Sequence, residues 1–201
     1  MDKIGITQLV ILVIAALFLS GCTSPSSISV QSPVSSTTDT EFTHLLLSPE
    51  ELPLGLIRAF DGPMQVSDIT DTMKKYGLHK GYRVLYADSI PLMDKTKIME
   101  QDIMVFNGAN ASAMMGEYKK SLTDIKKQNI VVLPLPDPDI GDKSFAVKIS
   151  TIDSTGTETQ HYVFGFVQSG IFEIISVEGT PETYPALLHV AERAAEKARQ
   201  K

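Results

Sequence analysis

The chain has 201 residues, of which 43% are hydrophobic and 21% charged, with a formal net charge of −6 at pH 7. This is enough for one domain of ordinary size plus extra segments. The mild acidity gives no electrostatic footprint for nucleic acid, and a single cysteine, Cys22, excludes an intrachain disulfide. The densest basic clusters, Lys119-Lys120 and Lys126-Lys127, fall in a segment with helical spacing and read as a solvated face.

Residues 1–21 read as an export signal. Lys3 supplies a positive start, and Leu9 to Leu19 is an unbroken run of eleven apolar residues. A membrane span needs about 20 such residues, so this run fits the core of a signal peptide instead. It ends in Leu19-Ser20-Gly21-Cys22. All four positions match an aliphatic residue, a small residue, Gly or Ala, then Cys, and the stretch resembles the lipobox of bacterial and archaeal lipoproteins. That resemblance implies a diacylglyceryl group on the Cys22 sulfur and cleavage just before Cys22. The mature chain would then be held at the cell membrane, facing the extracytoplasmic side. The competing reading is an uncleaved anchor helix, which gives no reason for a unique cysteine at the end of the apolar run.

Residues 22–41 are rich in Ser, Thr and Pro and poor in large apolar side chains, so they form a tether rather than a fold. Thr23 to Thr40, as a flexible coil of about 18 residues, would hold a domain roughly 20–25 Å from the anchor.

Residues 42–201 are expected to form one globular domain. Ser48-Pro49-Glu50-Glu51 has the capping-box pattern of a short helix that Pro53 stops. Leu56 to Phe60 suggests a strand. The spacing of Val66, Ile69, Met73 and Tyr76 predicts a helix over 67–76, with Gly77 behind it as C-cap. The period then changes. Residues 82–86 and 101–107 alternate and predict strands, the second well buried. Met115, Tyr118, Leu122 and Ile125 form one stripe of a helix over 112–128. Ile130 to Leu133 is β-branched and short, and 134–142 is a turn-rich loop. Phe145, Val147 and Ile149, then Tyr162, Phe164 and Phe166, then 171–177 alternate between turn signals as an antiparallel meander. Thr180-Pro181 opens a last helix with Tyr184, Leu187, Leu188, Ala191, Ala194, Ala195 and Ala198 on one side.

The expected class is α+β: an antiparallel sheet of about five to seven strands packed with helices, including a long middle helix and a C-terminal helix. In the order of its elements the domain resembles the PsbP-like α-β-α sandwich. That likeness carries no activity.

Chemistry-bearing motifs are few. His44, His79, His161 and His189 are scattered. Asp137, Asp139 and Asp142 are candidate calcium ligands, but the spacing departs from the EF-hand loop, and a Pro-rich turn explains them as well. Met93, Met99, Met104, Met114 and Met115 could hold Cu(I), although core filling is the commoner use. Asn110-Ala111-Ser112 is a glycosylation sequon; alternatively Asn110 or Ser112 caps the helix that follows. Tyr82, Tyr86, Tyr162, Phe164 and Phe166 could line a ligand groove or simply face a core. No nucleophile elbow, phosphate loop or dinucleotide fingerprint occurs, and no cofactor is expected.

The reading that follows is a lipid-anchored extracytoplasmic binding or interaction module of the cell envelope, non-catalytic. Its partners would be the membrane, through lipid on Cys22, and an envelope protein or small ligand; nucleic acid is not among them. The alternatives are a hydrolase-like envelope enzyme with a site assembled from distant residues, and a structural envelope protein.

Overall fold

A computed structural model describes residues 40–53, 55–88, 98–107, 109–127, 129–179 and 183–200. The signal segment, Cys22 and nearly all of the tether therefore lie outside the described residues, as do Met93 and Thr180-Pro181. Seven strands form one antiparallel sheet: β1 (Leu56–Pro63), β2 (Leu78–Asp88), β3 (Ile98–Phe106), β4 (Ile130–Pro134), β5 (Lys143–Ile152), β6 (Glu158–Gln168) and β7 (Ile171–Glu178). Their order across the sheet is β1-β2-β3-β7-β6-β5-β4, two meanders joined between β3 and β7. Among the described residues there are four α-helices: α1 (Thr40–Thr43), α2 (Asp71–Lys75), α3 (Asn110–Thr123) and α4 (Thr183–Arg199). The α+β class and the sheet size are as the alternation predicted.

Both faces of the sheet are covered. On one lie α4 and the strap Phe42–Leu47, whose Phe42, Leu45, Leu46 and Leu47 are buried against Tyr82, Val84, Tyr86, Met99, Ile103 and Ile175. Phe42 stacks on Tyr82 with ring centroids 5.0 Å apart, and Glu41 pairs with Lys80. Ala191, Ala194, Ala195 and Ala198 are all buried, so the alanine half of α4 packs closely on the sheet. On the other face α3 lays Met114, Met115, Tyr118 and Leu122 over Met104, Phe145, Phe172 and Ile174.

Local chemistry explains where helices start. The Ser48 motif forms a 3-10 turn (Pro49–Glu51) rather than an α-helix; its capping box is present, with the Ser48 N–H donating to Glu51 at 2.7 Å. The helix predicted over 67–76 is divided into a 3-10 turn (Val66–Asp68) and α2. Thr70 is the reason: its Oγ1 accepts from the Met73 N–H at 3.2 Å and caps a new start. Gly77, with φ +74°, follows as foreseen. Helix α3 begins two residues early and stops at Thr123.

Both edge strands are blunted. β1 carries a bulge between Arg58 and Phe60 and ends in Pro63. β4 ends in Pro134, and its first residue, Ile130, gives its N–H to the Lys127 carbonyl at 3.1 Å.

Gly165, in the middle of β6, lies opposite Phe145 on β5. A Cβ there would fall within the Phe145 ring, which is 1% exposed and has nowhere to go. Gly165→Ala should therefore cost about 1–3 kcal/mol by overpacking, read as a lower urea midpoint at unchanged m-value; an unchanged midpoint would mean the ring can move.

Candidate binding site on the open half of the sheet

Helix α3 packs over β3, β4, β6 and β7 and leaves β1 and β2 without a helix along most of their length on that face. Cross-strand pairing places two rows of side chains there. One runs Phe60, Leu85, Glu100, Ser176 across β1, β2, β3 and β7; its neighbour runs Gly62, Arg83, Asp102, Ile174. Because paired residues share a face, the charged residues of the second row sit directly beside the apolar start of the first. Ile57 and Phe60 are 52% and 51% exposed. The Phe60 ring reclines over Gly62, where a Cβ would lie 3.4 Å from its Cζ.

Arg83 is the centre of the charged group. Its Nε and Nη2 donate to Asp102 at 2.8 and 3.0 Å, a two-pronged clamp. Nη1 lies 3.4 Å from Asp68, on the 3-10 turn that follows β1, and Nε lies 2.7 Å from Glu100 Oε1. Nε carries one hydrogen and gives it to Asp102, so Glu100 Oε1 is buried without a hydrogen-bond partner. Burial, then the charge of Asp102, pushes the Glu100 carboxyl up to about 8, against the pull of Arg83. Glu100 is thus held as the acid at neutral pH. Asp102 is also raised by burial, but Arg83 opposes this strongly. Burial alone would lower the Arg83 pKa, yet Asp102, Glu100 and Asp68 together hold it above its ordinary value. Tyr118 of α3 closes the inner side; burial, then Asp102 and Glu100, raises its phenol.

A second polar network crosses the opposite face, under the strap. Tyr86 Oη donates to Gln101 Oε1 at 2.9 Å, and Gln101 Nε2 donates to the Leu45 carbonyl at 3.3 Å and to Glu173 at 3.0 Å. Glu173 is fully buried, its Oε1 has no partner, and burial pushes it up to about 8.

The residues singled out from sequence fare as follows. Asp137 folds onto the Asp139 N–H and the Ser144 hydroxyl, whereas Asp142 turns to the Ser169 N–H and Gln168. Among the described residues no three His, Cys, Asp or Glu side chains converge on a cation position. Met99 faces the strap and α4, while Met104, Met114 and Met115 face the opposite core, so the sheet divides these methionines. Neither Asn110 nor Ser112 caps α3: the N-cap is Ala109, without a side-chain cap bond, because the helix starts at Asn110 itself. Asn110 is exposed. Tyr82, Tyr86, Tyr162, Phe164 and Phe166 are buried core. His161 is half-buried on β6, and burial lowers its pKa, opposed by Glu178; His44, His79 and His189 are exposed and apart. The Arg83 cluster was not foreseen. Its signal was charge at alternate positions of apolar strands, but sequence alone does not say which strands pair.

No family model matches the chain, and no curated protein matches it. Among solved structures, the extracellular domain of PknH from Mycobacterium tuberculosis is similar to it, with a TM-score of 0.59 at 11% identity, over 78% of this chain and 94% of that one. The two share a fold. Among the described residues no helix is long and apolar enough to cross a membrane.

Proposed function

We propose that the chain is a lipid-anchored, extracytoplasmic binding module of the cell envelope that performs no chemistry on its partner. The observation that carries this reading is Leu19-Ser20-Gly21-Cys22 at the end of an eleven-residue apolar run, followed by a Ser/Thr/Pro tether that leads into the domain. Each buried methylene of the lipid contributes roughly 0.8 kcal/mol, and two chains hold stably. The PknH domain is named as extracellular, which supports the same side of the membrane. The open half of the sheet, with Ile57 and Phe60 beside the Arg83 cluster, supplies the surface for a partner. The PsbP-like resemblance rests on the order of the elements alone and adds no activity.

The enzyme reading keeps one specific support: Glu100 held as an acid beside Asp102. Against it, Asp102 is clamped by Arg83 through both oxygens and is 8% exposed, which places the pair away from an arriving substrate.

The anchor is tested by radiolabelled fatty-acid incorporation in cells. The expected result is a labelled wild-type protein that protease added outside intact cells digests, and an unlabelled Cys22→Ser variant. A wild-type chain without label, or label retained in Cys22→Ser, overturns the anchor.

A further inference from the structure

We infer that the strap Phe42–Leu47 is a proton-controlled latch: a proton on Glu173, beneath it, holds it shut, and loss of that proton favours its opening. This goes beyond the anchored-module reading and does not depend on it.

The strap's buried polar ties run to one acid. Leu47 bonds the Tyr86 hydroxyl through its backbone, and Tyr86 Oη donates to Gln101 Oε1 at 2.9 Å. Gln101 Nε2 divides its two hydrogens between the Leu45 carbonyl at 3.3 Å and Glu173 Oε2 at 3.0 Å. Glu173 Oε1 has no partner, and the whole residue is 0% exposed. One donor and no water cannot hold a carboxylate charged, so the shut strap keeps a proton on Glu173. Burial pushes its pKa up to about 8, against the pull of the Gln101 hydrogen bond.

Ionised, Glu173 needs more donors. A further hydrogen must be taken from the network that ties the strap down, or come from water that enters over it. The strap is the element that gives way. It is not part of the sheet. Besides the network, its hold is four apolar side chains and the Glu41–Lys80 pair, whose side chains are more than a third exposed and bind weakly. Helix α4, by contrast, has seven buried residues. Its Lys197 holds Glu51, just beyond the strap, at 3.1 Å, which marks the hinge.

The groups around Glu173 leave it in control. Tyr86 from β2 is titratable, but burial raises its phenol further still, and Arg58 and Asp61 of β1 bear on that phenol. Gln101 from β3 is neutral, β6 brings Phe166 opposite Glu173, and α4 and the strap bring apolar side chains. His44, on the strap, is exposed. Open to water, Glu173 returns to the ordinary value of 4.5, so the open state gives up its proton first. The opening constant is therefore lowest in acid, rises by up to about ten-fold per pH unit through the interval to 8, and is level above it. Opening bares Tyr82, Tyr86, Met99 and Ile175. Where residues 22–41 tether the domain, it also lengthens the tether by roughly 20 Å.

The test is hydrogen exchange of the full chain in detergent micelles from pH 5.5 to 9. Mass spectrometry reads peptides of the strap and of β5 to β7, each divided by its intrinsic exchange rate. The expected result is strap protection that falls roughly ten-fold per unit up to pH 8 and then levels, with β5 to β7 slower to exchange throughout. Glu173→Gln, which mimics the protonated acid, should make the strap level with pH. Glu173→Leu also lacks the ionisation and should give the same level profile. Glu100→Gln, on the opposite face, should leave the slope unchanged. A wild-type strap level with pH overturns the inference, and that outcome needs no variant to fold. A slope that survives both Glu173 variants, or one lost in Glu100→Gln, also overturns it. So do strap and core peptides that exchange at one common rate, which would mean that the whole domain opens instead. None of these outcomes bears on lipid labelling, which stands or falls by its own test.

Discussion

Arg83→Met is expected to lower the stability of the domain by about 3–5 kcal/mol, because it leaves buried carboxylates without their counter-charge. The Arg83 side chain is 17% exposed and those of Asp68 and Asp102 are 11% exposed, so water cannot take over the role. The two-pronged clamp on Asp102 and the contact with Asp68 tie β2, β3 and the 3-10 turn together. The measurement is the urea midpoint at constant m-value. Two controls separate lost charge from lost packing. The deficit should shrink toward pH 4, where the stranded carboxylates protonate, and Asp102→Leu added to Arg83→Met should recover part of the loss. A loss under about 1 kcal/mol that is flat with pH would show that the cluster is solvated and loosely held.

The second large effect is in pH dependence. A glutamate in water titrates near 4.5, whereas burial pushes Glu173 up to about 8 in the fold, and Glu100 behaves the same way. An acid whose folded pKa is raised keeps its proton in the native state after the unfolded chain has lost it. Native stability is thus full below the unfolded pKa, falls as pH rises through the interval, and levels off above the folded pKa. Each group contributes a slope of up to about 1.4 kcal/mol per pH unit. His161, lowered by burial, acts oppositely but only below its unfolded value of 6.5. Between pH 6.5 and 8 the two glutamates dominate, and the melting temperature should fall steadily. Glu173→Gln keeps the size and the contact with Gln101 and removes one ionisation, so it should roughly halve the slope. Glu173→Gln with Glu100→Gln should flatten it. A wild-type profile level from pH 6.5 to 8 would mean that water reaches both carboxyls.

These two groups were the least legible part of the sequence. Alternation made the strands readable: Tyr82, Val84 and Tyr86 face one core, and Phe145, Val147 and Ile149 the other. The turns around Gly156 and Gly170, both at positive φ, fixed the meander. Helix α4 was readable from its stripe, and its alanines point to a close approach of helix and sheet. The strap was not readable, because Leu45-Leu46-Leu47 has neither period and its partners are strands 35 or more residues away in the chain. The split of the helix before Gly77 was legible only in part: Thr70 is a local cap signal, whereas the contact of Asp68 with Arg83 is tertiary and local propensity does not encode it. The Arg83 cluster likewise exists only because Arg83 pairs with Asp102 across β2 and β3; a shift of one residue would send both to the opposite core.

Lipid anchoring turns on where the mature chain begins and what it carries there. Intact-mass spectrometry of the protein extracted from its own membranes reads both at once. The expected species is a chain starting at Cys22 with the mass of a diacylglyceryl group added. A chain that retains residues 1–21, or one cut elsewhere and carrying no lipid, would contradict it.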